Sequence, residues 1–200
     1  MLRCACSNID LTLARNTLPM DQQIIDDVRT WLDEVVIGLN LCPFAAKPRS
    51  ENRVRIVVSH ARTEEALLDD LQHELEHLAD TPAAELETTL IAIPDMLEDF
   101  ADYNDFLDAV DLWVEQFGWE GELQVASFHP QYQFADTEPD DAGNLTNRSP
   151  WPLLHIIREE SLEKAIEHFP DVDGIPERNI KRMEALTAEE RQRLFPYLFG

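Results

Sequence analysis

The sequence predicts an α/β protein, a single-domain sandwich in which helices flank a mostly parallel four-stranded sheet. Two observations support this class. Short apolar runs typical of buried strands alternate with longer segments whose apolar residues recur at helical spacing. In addition, 200 residues with 44% hydrophobic content suffice for one core, and no change of composition indicates a linker. We therefore expect a poorly ordered N-terminal tail over residues 1–18 and one domain over residues 19–200.

Helix boundaries are indicated by capping residues and prolines. The first helix begins at Asp21 and runs out near Asn40, shortly before Pro43, which prevents its continuation. Thr63 is suited to cap a second helix, and Thr187 begins a capping box for the last one. A basic turn is expected over residues 47–55. The remaining helices are expected near 97–117, 161–169 and 176–186.

Four short segments have the apolar, β-branched composition of strands. They are expected over residues 56–59, 88–93, 123–128 and 153–157.

The charge balance excludes several classes of function. With 16 basic and 40 acidic residues, the formal net charge is −24. Nucleic acids and anionic membrane surfaces are bound by clustered Lys and Arg, so neither is an expected partner. The chain contains neither of the glycine-rich motifs that bind phosphates. The three cysteines, two of which are Cys4 and Cys6, do not indicate a set of disulfide bonds. The N-terminal sequence does not have the pattern of a signal peptide. Together these features predict a cytoplasmic protein.

The long segment after the third strand is the first candidate site. Ligands of open α/β sheets usually bind beyond the carboxyl ends of the strands, and a loop as long as 129–152 is uncommon unless it is functional. His129 is a candidate general acid or base, although it could instead cap the strand end by bonding a backbone carbonyl. Arg148 is suited to grip an anion, or alternatively to pair with Asp136 or Asp140. The further candidate substrate-binding residues are Asn147, Ser149 and Tyr132.

Cys42 and His155 are the second group of candidates. Cys42, at a helix end before a proline, could be a nucleophile, although a buried thiol with a raised pKa is the alternative. His155 lies within an apolar strand, where a core histidine or a ligand would both fit. If Cys42, His129 and His155 converge, they would suit zinc or iron.

His73 and His77 match the HExxH motif of zinc proteases, but the helix phase opposes that reading. Leu67, Leu71 and Leu75 define the buried face, and the two histidines project roughly opposite it. We interpret the pair as part of a solvated acidic surface.

Several motifs together resemble a known bacterial family. They are Asn40-Leu41-Cys42-Pro43-Phe44-Ala45, Ser127-Phe128-His129-Pro130 through Tyr132-Gln133-Phe134, and Thr146-Asn147-Arg148-Ser149-Pro150 through Leu154-His155 and Arg158-Glu159. In content and order they resemble the family filed as domain of unknown function 1415. The resemblance covers about residues 20–186 and implies a cytosolic bacterial protein, but it implies no reaction, substrate or cofactor.

Three functional hypotheses follow. The first is an enzyme acting on a small anionic metabolite at the 129–152 loop, with His129 and Cys42 as catalytic candidates. The second is a non-catalytic protein that binds a metabolite or a partner. The apolar C-terminus, residues 194–199, is a candidate docking element, although packing on the protein's own domain is the favoured alternative. The third is a metal protein using Cys42, His129 and His155. The sequence leaves both the cofactor and the oligomeric state undetermined.

Overall fold

The structure is a computed structural model that describes the backbone of residues 10–199 and the side chains of residues 20–199. Within this range the chain forms seven α-helices and four strands. The helices are α1 (Asp10–Trp31), α2 (Ala46–Ser50), α3 (Glu64–Asp80), α4 (Phe100–Gln116), α5 (Glu159–Glu167), α6 (Ile175–Glu184) and α7 (Ala188–Leu194). The strands are β1 (Val54–Val58), β2 (Thr88–Ala92), β3 (Leu123–Phe128) and β4 (Leu153–Arg158). The α/β class and all four predicted strands are confirmed.

The sheet is mixed, so the prediction of a mostly parallel sheet is wrong. Its strand order is β1-β2-β4-β3, with β1 and β2 parallel and β4 antiparallel to both of its neighbours. The reason lies in the loop between β3 and β4. Because Phe128, the last residue of β3, pairs with Leu153, the first of β4, this loop begins and ends at the same edge of the sheet. A parallel strand would have required a crossover to the other edge.

Helices cover both faces of the sheet, as the sandwich prediction requires. On one face, Leu90 and Leu153 pack against Val28 and Trp31 of α1 and against Phe195. The other face packs against α3 and α4, through a cluster that contains Ile91, Leu154, Ile156, Leu71 and Phe106. Alternation along β2 and β4 therefore divides the core into two clusters, one on each side of the sheet.

Helix α1 begins at Asp10, earlier than the predicted start at Asp21. It continues into a π-helical turn, Leu32–Ile37, and the chain reverses at Asn40, whose φ of 57° is left-handed. Asn tolerates this conformation better than most residues, and it therefore suits a helix end. Residues 1–9 of the expected N-terminal tail, including Cys4 and Cys6, lie outside the described residues.

A further short helix was not expected from the sequence, whereas the C-terminal segment packs as the sequence favoured. The short helix α2 occupies part of the predicted basic turn over residues 47–55. Phe195, within the candidate docking element at the C-terminus, is fully buried in the protein's own core, whereas Phe199 is exposed. Most of this apolar segment is therefore used for packing.

Helix α3 confirms the predicted apolar stripe and the interpretation of the HExxH match. Leu67, Leu71 and Leu75 are fully buried, while His73 and His77 are exposed. Glu74, between them, is not solvated as predicted: it is buried and accepts two hydrogen bonds from the Arg55 guanidinium, at 2.8 and 3.1 Å. This ion pair connects α3 to β1. Among the described residues, no helix is both long enough and apolar enough to cross a membrane.

Candidate functional site

The four motif residues predicted to form a site are divided between two ends of the sheet. Cys42 and His155 line one cavity together with Val54 and Thr88, the first residues of β1 and β2. His129 follows the last residue of β3, at the opposite edge of the sheet. The structure does not bring Cys42, His129 and His155 together, a question that the sequence left open. His129 packs against Phe100 and Tyr103 of α4 on one face of the sheet, whereas His155, which alternates along β4 with Leu154 and Ile156 of that face, points to the other.

His129 is held by the protein backbone through both ring nitrogens. Its Nε2 donates to the Leu97 carbonyl at 3.0 Å, and its Nδ1 accepts from the Gln131 N–H at 3.0 Å. The ring is fully buried, 5.4 Å from the Phe100 ring and 5.0 Å from the Tyr103 ring. Burial lowers the pKa of His129 and keeps the ring neutral. These contacts support the structural alternative for His129, a strand-end cap, over general acid–base catalysis.

The other candidate residues of the loop also bond mainly to backbone. The Asn147 amide donates to the Ser127 carbonyl at 3.3 Å, and the buried Ser149 hydroxyl donates to the Trp151 carbonyl at 2.6 Å. Tyr132 packs against the rings of Phe100 and Phe134. Together these bonds give the 129–152 loop one fixed conformation. Asn147, Ser149 and Tyr132 are therefore better explained as loop-forming residues than as substrate contacts.

Arg148 is different, because part of its guanidinium remains available. Nε donates to the Tyr132 carbonyl at 3.2 Å and Nη2 donates to the Pro139 carbonyl at 2.7 Å. Within the described residues no carboxylate lies within 4.0 Å, so neither Asp136 nor Asp140 pairs with it. The side chain lines a cavity of about 520 Å³ with Gln131 and others, which we call the loop cavity. Desolvation of the guanidinium lowers the pKa of Arg148.

The larger cavity, of about 580 Å³, is built around the first motif, and we call it the motif cavity. One wall is the motif segment from Cys42 to Ala45, and the opposite wall is α5, of which no residue is buried. Strands β1, β2 and β4 form the floor. Phe44 and Phe169 meet edge to face at 5.6 Å and connect the two walls. The floor consists of Val54, Thr88, Leu90, His155 and Ile157.

Cys42 lies in the wall of this cavity as a protonated thiol. Burial raises the pKa of Cys42, and the N–H groups of Phe44 and Ala45, which face the sulfur, offset this only in part. The structure therefore agrees with the alternative that the sequence offered for Cys42, a buried thiol with a raised pKa. The backbone of the motif is fixed by the Asn179 amide, which donates to the Leu41 carbonyl at 2.8 Å.

His155 presents its ring to the floor of the cavity. Its Nε2 lies 2.7 Å from the Thr88 hydroxyl oxygen, which in turn lies 2.5 Å from the Ile156 carbonyl oxygen. Burial lowers the pKa of His155 to about 4, so the ring is neutral at physiological pH. Sequence reasoning selected His155 but missed Thr88. Thr88 and His155 are 67 residues apart along the chain, and only the pairing of β2 with β4 brings them together.

The rim of the motif cavity is rich in cations, unlike the rest of the protein. Arg53, Arg158, Lys164 and Lys47 line it, against a single carboxylate, Glu87. Arg53 is paired with Glu87 and one other carboxylate, and Lys164 is also paired. Within the described residues, Lys47 has no carboxylate within 4.0 Å. The Arg158 guanidinium is directed to the other face of the sheet, where it donates to the carbonyls of Leu78, Thr81 and Leu86 at and after the end of α3. Lys47 is therefore the cation of this cavity whose charge no nearby carboxylate offsets within the described residues.

A separate histidine connects α1 to the sheet edge at which β1 ends. His60 bonds Asp95 through Nδ1 and Asp21 through Nε2, both at 2.8 Å. We call these three residues the His60 clamp. The hydrogen bond from Asp95, and then that from Asp21, raise the pKa of His60, although desolvation opposes them. The clamp stabilises the docking of α1 when the ring is charged.

The predicted metal site is not formed. Within the part of the chain that the structure describes, no three His, Cys, Asp or Glu side chains are grouped closely enough to hold a metal ion. Cys42 and His155 share a cavity, but the third predicted ligand, His129, lies at the other edge with both nitrogens engaged. Two side chains do not complete the tetrahedral set that zinc prefers.

Comparison with known proteins gives one match. The family model described as "Protein of unknown function (DUF1415)" matches residues 23–193 of the 200-residue chain. No curated protein and no solved structure matches the chain. The matched range contains the whole lining of the motif cavity and every motif on which the resemblance was based. The chain therefore belongs to the DUF1415 family.

Proposed function

We propose that the protein binds a small anionic metabolite with an apolar body, and that the motif cavity is the binding site. The observation that carries the proposal is the composition of this cavity. Its floor is apolar except for His155 and Thr88, and its rim holds Lys47, a cation that has no carboxylate partner within the described residues. Its volume of about 580 Å³ lies within the usual range of small-molecule sites.

Electrostatics supports an anion over a cation or a neutral ligand. A net charge of −24 repels anions from most of the surface, so the cations Lys47, Arg53 and Lys164 that line one cavity are a local exception. Lys47 is solvent-exposed, so an acid group at the rim gains its attraction without removing that charge from water. The flat apolar floor adds affinity for a hydrocarbon or aromatic portion of the ligand.

The chemistry of the cavity supports hydrogen bonding by a neutral imidazole more than nucleophilic attack. Burial lowers the pKa of His155 to about 4, so this ring is a weak base but accepts a hydrogen bond from a bound ligand. Cys42 would first have to lose its proton, which burial also disfavours. We therefore propose an enzyme in which His155, rather than His129, makes the principal polar contact with the ligand. Binding without turnover, for sensing a metabolite, is the alternative for the same cavity.

The experiment is a binding screen with a matched pair of blocking variants. Ala165 of α5 lines the cavity, whereas the adjacent Ile166 does not and is 37% exposed. We expect metabolites with an anionic group and an apolar body to raise the thermal unfolding temperature of the wild type. The Ala165→Trp variant, which fills the cavity, should abolish this shift, and Ile166→Trp should preserve it. Equal responses of the two variants would refute the proposal.

The loop cavity is a second candidate, because Arg148 faces it with guanidinium N–H groups that make no bond within the described residues. This is the anion site that the sequence suggested, without the catalytic role of His129. Gln131 is exposed and lines the same cavity, so Gln131→Trp should fill it without disturbing the core. Binding of a small anion that is lost in Gln131→Trp and survives in Ala165→Trp would place the ligand there instead.

We also infer a cytoplasmic setting. Cys42 is a free thiol in the described part of the chain and lies in the wall of the proposed site. Thiols of this kind persist in reducing compartments. Measurement of the fraction of reduced Cys42 in protein taken directly from cells tests this inference, and an oxidised thiol would contradict it.

A further inference from the structure

The hydrogen bonds around Thr88 determine which nitrogen of His155 carries the proton. A hydroxyl group has one hydrogen to donate. The short 2.5 Å contact with the Ile156 carbonyl, which can only accept, uses that hydrogen. Thr88 must then accept at its other contact, so His155 Nε2 carries the proton and donates it to the Thr88 oxygen at 2.7 Å. In the neutral ring, Nδ1 is consequently the unprotonated nitrogen.

This Nδ1 is accessible from the motif cavity. It makes no hydrogen bond within the described residues. In that part of the chain, the buried side-chain polar atoms without a hydrogen-bond partner are Thr89 Oγ1 and Arg191 Nε. His155 Nδ1 also has no partner but is not one of these buried atoms, so it has accessible surface. Since His155 lines the cavity, its free lone pair is reached from there. A hydrogen-bond acceptor is thus held in a fixed orientation in an otherwise apolar floor.

From this geometry we infer the class of ligand: an acid that also carries an O–H or N–H group, such as a hydroxy acid or an N-acyl amino acid. The inference rests on the function proposed above. The O–H or N–H group donates to His155 Nδ1, and the acid group lies toward the cations of the rim. A simple carboxylic acid would leave the lone pair unpaired, because its ionised head has no hydrogen to donate.

The same argument makes Thr88 a positioning residue. It touches no ligand atom in this scheme, but it fixes the tautomer of the ring that does. Without the hydroxyl, the proton is free to move between the two nitrogens, and a ring protonated on Nδ1 would reject the donor group of the ligand. A site built to bond a particular hydrogen discriminates strongly against an analogue that lacks it.

The test compares acids that differ only in the donor group. Phenyllactate is paired with phenylpropanoate, and N-acetylphenylalanine with its N-methyl derivative, and the affinities are measured by calorimetry. We expect each donor-bearing acid to bind at least about tenfold more tightly than its partner, since a buried acceptor left unpaired costs about that much. Thr88→Ser, which keeps a hydroxyl, should retain the preference. Thr88→Val should lose most of it.

A spectroscopic measurement separates the tautomer from a general structural effect. Two-bond proton–nitrogen correlation spectra of the imidazole rings should show His155 protonated on Nε2 in the wild type and in Thr88→Ser. In Thr88→Val they should show a mixture of the two tautomers. A wild-type ring protonated on Nδ1 would overturn the inference.

The outcomes distinguish this inference from the proposed function. If both acids of each pair bind equally, and Ala165→Trp prevents their binding, the cavity is a binding site but the inferred ligand class is wrong. If none of the four acids binds, both proposals fail. A preference for the donor that disappears in Thr88→Val, together with the expected tautomer, supports both.

Discussion

Replacement of His129 tests whether this residue holds the 129–152 loop or performs chemistry. The ring packs against both Phe100 and Tyr103 and closes two turns, because it donates to the Leu97 carbonyl and accepts from the Gln131 N–H. Leu97 itself has a φ of 60°, a left-handed conformation that is unfavourable for a leucine. The bond to its carbonyl helps to maintain that conformation.

The expected cost of His129→Ala is the sum of two effects. Truncation of a fully buried aromatic ring leaves a cavity, and such changes cost about 3 kcal/mol or more. Each backbone group left without its partner adds about 1 kcal/mol or more unless water reaches it. We therefore expect His129→Ala to lower the free energy of unfolding by about 3–5 kcal/mol. His129→Asn keeps an acceptor for the Gln131 N–H and should cost less.

The assay is urea unfolding followed by tryptophan fluorescence, with the four tryptophans of the chain as probes. His77→Ala, at an exposed histidine of α3, is the control and should change the stability by no more than about 0.5 kcal/mol. Because burial lowers the pKa of His129, its neutral form is favoured in the folded state. Its contribution should therefore be complete above the unfolded pKa of about 6.5 and decrease as the pH falls below that value. A loss below about 1 kcal/mol in His129→Ala would refute the structural role.

Three other predictions concern the fold. The raised pKa of His60 means that the His60 clamp stabilises fully below the unfolded pKa of about 6.5 and loses this effect as the pH rises through the folded pKa. Since the ring is 37% exposed, His60→Gln should cost about 1 kcal/mol or less near pH 6 and almost nothing near pH 9, as urea unfolding at both pH values would show; equal costs would contradict the clamp. Glu74→Gln, which weakens the bond to Arg55, should cost about 1–2 kcal/mol in the same assay, whereas the exposed Glu76→Gln should be neutral. Tyr103→Phe removes the 2.6 Å hydrogen bond from the buried phenol to the Leu153 carbonyl and should cost about 1–2 kcal/mol; an unchanged midpoint would show that water replaces it.

Local signals in the sequence were sufficient for most elements of the fold. The strand segments have β-branched, apolar compositions that no neighbouring segment matches. Thr63 and Thr187 cap their helices as predicted, and Glu190 completes the capping box with Thr187. Such features depend on residues within one turn of each other. The apolar stripe of α3 likewise follows from its own spacing.

The direction of β4 and the division of the site depend on contacts between distant residues. The length of the 129–152 loop is compatible both with a crossover and with a return at the same edge, and only the pairing of Phe128 with Leu153 distinguishes them. His129 and His155 are both motif histidines near strand residues, but one bonds only backbone and the other faces a cavity. Their partners, Leu97 and Thr88, carry no signal of these contacts in the sequence.

The charge of the protein also has a different meaning once its distribution is known. The sequence suggested Arg148 as a local positive charge in an otherwise acidic protein. The structure adds the rim of the motif cavity, where Lys47 also has no carboxylate partner within the described residues. Helix α5 forms one wall of this cavity without burying any residue of its own. A bound ligand would therefore cover apolar surface of α5 at Leu162 and Ala165.

The most direct test of the central claim is native mass spectrometry of untagged protein after incubation with a metabolite extract. For a ligand bound in the motif cavity, we expect the protein to carry a small-molecule adduct, and the molecule to be detected as an anion after its release. The wild type and Ile166→Trp should carry it, and Ala165→Trp should not. An adduct of the same mass and occupancy on Ala165→Trp, or no adduct on the wild type, would contradict the assignment of this cavity as the binding site.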